Sequence, residues 1–211
     1  MSEARPFGKA GILKGSHAIR QTLCMRRVLI IGSGGAGKST FATELARQTG
    51  LPLIHLDALY WRPGWVEPPK AEWATTVDSL IENDSWVMDG NYGGTLERRL
   101  AKCDTVVFLD LPRVVCLARV LKRRLQFRGR ARPDMNPGCP ERLSWEFLSW
   151  IWNYPVQKRP KILARLARLH PGQKSVVLTS QSEMDRFFQS LPHVDRQIEI
   201  LANEQSPAVI G

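Results

Sequence analysis

The residues Gly32-Ser33-Gly34-Gly35-Ala36-Gly37-Lys38-Ser39 fit the pattern G-x-x-x-x-G-K-[ST], whose chemistry is the enclosure of phosphate. Glycines at these places let successive backbone N–H groups turn toward phosphate oxygens, and a helix starting at the last of them adds the positive end of its dipole. Lys38 can reach the β- and γ-phosphate oxygens, and the Ser39 hydroxyl can take a place on Mg²⁺. Gly32, Gly34, Gly35, Ala36, Gly37, Lys38, Ser39 and Thr40 therefore form a candidate ATP-binding loop. The same stretch also satisfies G-x-G-x-x-G through Gly32, Gly34 and Gly37, with Asp57 near the place of a dinucleotide ribose acid. A Lys-Ser pair directly after the last glycine has no part in a dinucleotide turn but is central to a phosphate loop, so the triphosphate reading is preferred.

Such a loop must lie between a strand and a helix, and the flanks supply both. Arg26-Arg27-Val28-Leu29-Ile30-Ile31 predicts a strand, and the apolar period over residues 38–48 predicts a helix closed by Gly50. Further strands are predicted over 53–56 (buried by its composition, ending at Asp57), 86–88 (ending at Asp89-Gly90), 105–109 (ending at Asp110) and 175–179. Helices are predicted over 70–82, 113–126 and 182–191, with one more carrying an aromatic stripe of Leu143, Phe147, Trp150, Ile151 and Tyr154. Strands that are continuously apolar and separated by helices imply a parallel sheet covered on both faces, a doubly wound five-stranded α/β domain.

In open parallel sheets the carboxyl ends of the strands face the ligand crevice, which singles out the three aspartates there. Asp89 is the candidate to hold the water shell of Mg²⁺ together with Ser39. Asp57 lies beside a Trp- and Pro-rich stretch (Tyr60, Trp61, Pro63, Trp65) and is the candidate to orient an acceptor hydroxyl or take its proton. Asp110 precedes Leu-Pro and a helix, and is read as a cap.

The chain has 211 residues, 43% hydrophobic and 24% charged, the proportions of one globular domain. No stretch approaches the roughly 20 apolar residues that span a bilayer. Four cysteines stand far apart with no CxxC pair, which argues against a zinc knuckle or disulfide framework and suits reduced thiols in the cytoplasm. The net charge of +10 comes from one block: residues 113–168 hold 14 cationic and 3 anionic side chains. Arg119, Lys122, Arg123 and Arg124 lie on the predicted helix 113–126, and Arg128, Arg130 and Arg132 in the Gly/Pro-rich loop after it. Phosphoryl transfer spreads negative charge over the transferred group, so a lid bearing Arg123, Arg128, Arg130 and Arg132 suits that reaction. The rival reading is an electrostatic footprint for DNA, with Trp145, Trp150 and Trp152 as stacking partners.

Residues 1–24 have no sustained period and read as a disordered leader that need not belong to the native protein, since Met25 stands directly before the first strand. Residues 25–192 read as a single kinase-like domain with a lid over about 120–142, and 193–211 as a loose tail.

Taken in order, the glycine loop, Ile54-His55-Leu56-Asp57-Ala58-Leu59-Tyr60-Trp61, Met88-Asp89-Gly90-Asn91-Tyr92, Phe108-Leu109-Asp110-Leu111-Pro112, Arg119-Val120-Leu121-Lys122-Arg123-Arg124 and Arg132-Pro133-Asp134-Met135 resemble a bacterial P-loop family of DNA topology modulation proteins, related to adenylate kinases. The resemblance covers about residues 26–180. It implies a five-stranded core, ATP·Mg²⁺, a mobile acceptor-binding segment and an arginine-bearing lid. On that likeness Asp89 resembles the acid of an L-D-G-F-P-R strand end, Arg119 an arginine packing on adenine, and Arg123 a lid-base arginine on the phosphates. The chain departs from the pattern where Asn91-Tyr92 follow Gly90, so the arginine that grips a monophosphate is missing from its usual place.

The expected function is transfer of the ATP γ-phosphate to a small molecule, a nucleoside, nucleotide or hydroxyl-bearing metabolite, by Lys38, Asp57, Arg123, Arg128 and Arg132. The alternative is a DNA-associated regulator switched by ATP binding or hydrolysis, whose affinity would fall with salt. A nucleotide-binding module without catalysis is a third option.

Overall fold

The computed structural model describes residues 25–191, so the expectations for the leader and the tail lie outside the described residues. Five strands, β1 (Arg27–Gly32), β2 (Leu53–His55), β3 (Trp86–Asp89), β4 (Thr105–Leu109) and β5 (Lys174–Leu178), form one sheet in the order β2-β3-β1-β4-β5. Every pairing is parallel, with Leu29 of β1 facing Met88 on one side and Val106 on the other.

Alternate side chains of a strand point to opposite faces, and β1 divides accordingly. Val28 and Ile30 join one core with Phe41, Leu45, Val107, Cys116, Val120 and Ile151. Leu29 and Ile31 join the other with Trp73, Val77, Trp86, Leu100 and Phe108. The first face is covered by α1 (Lys38–Thr49), α5 (Arg113–Gln126), α6 (Trp145–Gln157) and α8 (Gln181–Gln189), the second by α3 (Lys70–Ile81), α4 (Leu96–Lys102) and α7 (Arg159–Leu166). A five-residue helix, α2 (Leu56–Tyr60), follows β2. No helix among the described residues is long and apolar enough to cross a membrane.

The sheet is doubly wound, as expected, and four particulars differ. Strand β2 is an edge strand whose Leu53 and Ile54 are not fully buried, because nothing among the described residues pairs with its outer side. Asp57 stands in the first turn of α2, two residues beyond the strand end at His55. Asp110 caps no helix: α5 starts after Pro112 without a side-chain cap, and the Asp110 carboxylate accepts from Arg159 Nε at 2.7 Å. Helices α2, α4 and α7 have no counterpart in the sequence pattern.

Helix α4 carries an unusual core residue. Arg99 is 0% exposed, and its guanidinium donates to the carbonyls of Gly90 (2.8 Å), Asn91 (2.7 Å) and Tyr92 (3.0 Å). Burial pushes its pKa down to about 10, which leaves it protonated at neutral pH. These bonds set the path of the chain as it leaves β3. Replacing Arg99 by alanine leaves the Gly90 and Asn91 carbonyls without its donors, at about 1–3 kcal/mol each, while Tyr92 O keeps Thr95 N at 3.0 Å. The Arg99→Ala variant is expected to lose about 3 kcal/mol or more in urea unfolding, with an unchanged denaturant slope.

Candidate active site

The sheet order reverses beside β1, so the crevice opens at that strand's carboxyl end. There the chain turns through Gly32–Gly37 and enters α1 at Lys38. Gly35 has φ +77°, and a Cβ on it would come within 2.2 Å of the Cys116 carbonyl oxygen, so no other residue fits. No side chain caps the start of α1, whose first-turn N–H groups are the natural donors to an anion. Lys38 Nζ donates to Ser33 O at 3.0 Å. Desolvation lowers the Lys38 pKa; Asp57 and Asp89 oppose that shift, while Arg123 and Arg132 reinforce it.

The loop is tied to the strand beside it by a reciprocal pair. Gly32 N donates to Asn91 Oδ1 at 3.1 Å, and Asn91 Nδ2 donates to Gly32 O at 2.7 Å. Next to it Asp89 is buried, with its two carboxylate oxygens shared between neighbours. Ser39 Oγ donates to Oδ2 at 2.9 Å, and His55 Nδ1 lies 2.6 Å from Oδ1. Burial lowers the His55 pKa, but the hydrogen bond with Asp89 and the charges of Asp89, Asp134 and Asp57 outweigh it, so the net shift is upward. A hydroxyl and a carboxylate in contact are hard oxygen donors of the kind Mg²⁺ takes when most of its shell is water and phosphate, so Ser39 and Asp89 fit that ion. Among the described residues no cluster of three or more His, Cys, Asp or Glu forms a closed metal site.

A cleft of about 1490 Å³ extends from the loop, lined by Lys38, Ser39, Thr40, Asp57, Arg119, Arg123 and Arg132 among others. Arg119 flanks the loop, donating to Ala36 O at 3.3 Å and Gln181 Oε1 at 2.9 Å. Tyr92 OH donates to Asp57 Oδ1 at 2.6 Å. Burial and the Asp57 carboxylate hold the Tyr92 phenol far above its ordinary pKa, so it remains a donor. Arg123 and Arg132 meet on the carboxylate of Glu141, at 2.9 and 3.0 Å. Arg128 and Arg130 are exposed and stand outside the cleft lining. Trp150 packs against both cores, Trp152 lies under the Arg113 guanidinium at 3.9 Å, and Trp145 is exposed, so the three present no common stacking face.

His55, Asn91, Tyr92 and Glu141 carry site geometry to which the sequence pattern gave no role. For Glu141 one signal existed, an acid within a block of 14 cations.

The lid and the Trp-rich segment are sewn together. Gly64 N donates to Gly138 O (2.9 Å), Trp65 Nε1 to Pro140 O (3.0 Å) and Cys139 Sγ to Arg62 O (3.1 Å). The Arg142 guanidinium lies over the Trp65 ring at 4.6 Å. Cys139, like Cys103 and Cys116, is a buried free thiol.

A phosphate loop after β1 of a five-stranded parallel sheet, with an acid ending the neighbouring β3 and an arginine-bearing segment over the loop, defines the adenylate-kinase-like P-loop fold. No protein-family model matches the chain, and no curated protein matches it in sequence. Solved structures with a similar chain path include a shikimate kinase from Acinetobacter baumannii, at 18% identity over 89% of this chain and 99% of that one, with a TM-score of 0.46. A sugar kinase from a Janibacter species is similar at 19% identity over 89% and 99%, TM-score 0.44. A gluconokinase from Sinorhizobium meliloti is similar at 13% identity over 86% and 98%, TM-score 0.45.

The seam between segments 62–65 and 138–142 leaves no space at Gly138, where a Cβ would meet Pro63 Cβ at 2.6 Å. Gly138→Ala should weaken the seam by about 1–2 kcal/mol. Tryptic cleavage after Arg128 or Arg130 should then quicken by about tenfold, while the global urea midpoint hardly moves.

Proposed function

We propose that the protein is an ATP-dependent phosphotransferase that moves the γ-phosphate of ATP, bound with Mg²⁺, to a hydroxyl of a small molecule. The observation that carries the reading is the meeting, in the lining of one cleft, of a phosphate loop with its Lys38, the Asp57 carboxylate, and two arginines, Arg123 and Arg132. A nucleotide-binding module without chemistry has no need of the last two.

In this reading the N–H groups of Gly34 to Thr40 and Lys38 Nζ hold the β- and γ-phosphates, and Arg119 flanks the nucleotide. Magnesium, when bound at Ser39 and through water to Asp89, would neutralise charge on the phosphate oxygens. His55 and Ser39 fix the orientation of the Asp89 carboxylate. Asp57, oriented by Tyr92, accepts the proton of the acceptor hydroxyl. The acceptor oxygen bonds to the γ-phosphorus as the bond from that phosphorus to its bridging oxygen breaks, and that bond's electrons leave with ADP. Arg123 and Arg132, splayed on Glu141, balance the charge spread over the transferred group. Arg128 serves this reading only through lid movement, since it is exposed and outside the lining.

The test follows γ-phosphate from ATP·Mg²⁺ into a panel of nucleosides, nucleotides and hydroxyl-bearing metabolites, with duplex DNA as a separate arm. Lys38→Ala should lower transfer by about 10²–10³-fold, as loss of one charge-stabilising donor does. Asp57→Asn should lower kcat by about 10²–10⁴-fold with ATP affinity unchanged, as loss of a general base does. Transfer unaffected by Lys38→Ala would end the reading. ATP hydrolysis stimulated by DNA without transfer would replace it with the DNA-linked regulator.

A further inference from the structure

The acceptor side of the cleft has an unusual charge inventory. Asp57, Asp134 and Arg132 line it, with His55 at its inner end and Arg142 at its mouth. A pocket built for a phosphate or carboxylate needs a cation whose charge is not already balanced. The Arg132 side chain is 11% exposed and faces three carboxylates, Asp134 at 2.9 Å, Glu141 at 3.0 Å and Asp57 at 4.0 Å, although only Nη1, on Asp134, is hydrogen-bonded. Arg123 shares Glu141 with it. Arg142 is exposed and lies over the Trp65 ring, where water screens its charge. An anionic acceptor on Arg132 would lie beside the Asp57, Asp134 and Glu141 carboxylates that already surround it. Residues 90–92 bring no cation to the pocket: Asn91 is committed to Gly32 and Tyr92 to Asp57.

The apolar part of the same wall is aromatic. Trp61 and Trp65 both line the cleft and meet edge to face, with ring centroids 5.3 Å apart. Trp65 (φ +65°) and Tyr92 (φ +24°) are the only non-glycine residues with positive φ among those described, and both face this pocket. Bulky residues in that region are costly outliers that persist where surrounding contacts hold them, commonly at ligand sites. The Arg62–Val66 bridge and the Trp65 indole bond to Pro140 hold Trp65 there.

Resting on the phosphotransferase reading, we infer that the acceptor is an uncharged, hydroxyl-bearing ring compound, a nucleoside or neutral sugar, which stacks on Trp61 and Trp65 and presents its hydroxyl to Asp57. The carboxylates already around Arg132 select against nucleotides and sugar acids. Rings with polar edges and apolar faces gain by lying on indole surfaces, and an uncharged ring pays no penalty against Asp57 and Asp134.

The experiment is calorimetric titration of the full chain, its nucleotide site filled with a non-hydrolysable ATP analogue and Mg²⁺, by matched pairs: adenosine and AMP, guanosine and GMP, glucose and gluconate. At least one neutral member should bind about tenfold or more tighter than its anionic counterpart. Asp134→Asn, which frees one face of Arg132, should narrow that gap by strengthening the anionic member about tenfold. Trp61→Leu should weaken the neutral member while the fold, checked by its urea midpoint, persists. Equal or tighter binding of the anionic members, or no binding of any neutral one, overturns the inference. Transfer of phosphate to an anion would likewise overturn it while leaving the phosphotransferase reading intact. Neutral binding without transfer would do the reverse.

Discussion

A fully buried arginine holds the two halves of the site in register. Burying an isolated guanidinium is strongly unfavourable, and Arg99 avoids that penalty only because the carbonyls of Gly90, Asn91 and Tyr92 converge on it. The requirement works in both directions. The cation needs those carbonyls, and the chain leaving β3 must take the path that presents them. Along that path Asn91 reaches the phosphate loop at Gly32, and Tyr92 reaches Asp57. One residue on a seven-residue helix behind the sheet thus fixes both the loop and the candidate base. The lid uses the opposite device. There two arginines converge on the single carboxylate of Glu141, which sets the guanidinium groups apart at fixed angles and holds them near the loop.

The sheet was legible in the sequence for a simple reason. Strands β1, β3 and β4 are buried on both faces, so their residues are apolar without alternation, and their predicted bounds agree with the structure to within a residue or two. Strand β2 has the same composition and a different environment, because its edge position is a property of sheet order that Leu53 and Ile54 do not encode. Helix α4 was hidden by Arg99, a charged residue at a core position that breaks the apolar period. Asp110 reads like a cap before Leu-Pro, yet it is taken by Arg159, 49 residues away, which no local pattern reveals.

The candidate site was legible in the same uneven way. The phosphate loop is contiguous, so spacing alone displays it. The aspartates stand out because strand ends have a fixed meaning in a parallel sheet. His55, Tyr92 and Glu141 act through partners distant in sequence: His55 on Asp89, Tyr92 on Asp57, Glu141 on Arg123 and Arg132. The lid arginines were visible as a cluster, but which of them faces inward depends on a loop path that composition does not set. Arg123 and Arg132 face the cleft, and Arg128 does not.

The seam between the Trp-rich segment and the lid has a consequence for traffic. Gly64, Trp65 and Arg62 are bonded to Gly138, Pro140 and Cys139, so neither edge of the cleft can swing out alone without breaking those bonds. Either the seam parts, or both edges leave together. In the second case, on the phosphotransferase reading, nucleotide and acceptor share one doorway and one opening rate. ADP and phosphorylated product would then escape on the same clock, and any event that exposes ATP to bulk water would also vacate the place of the water's competitor.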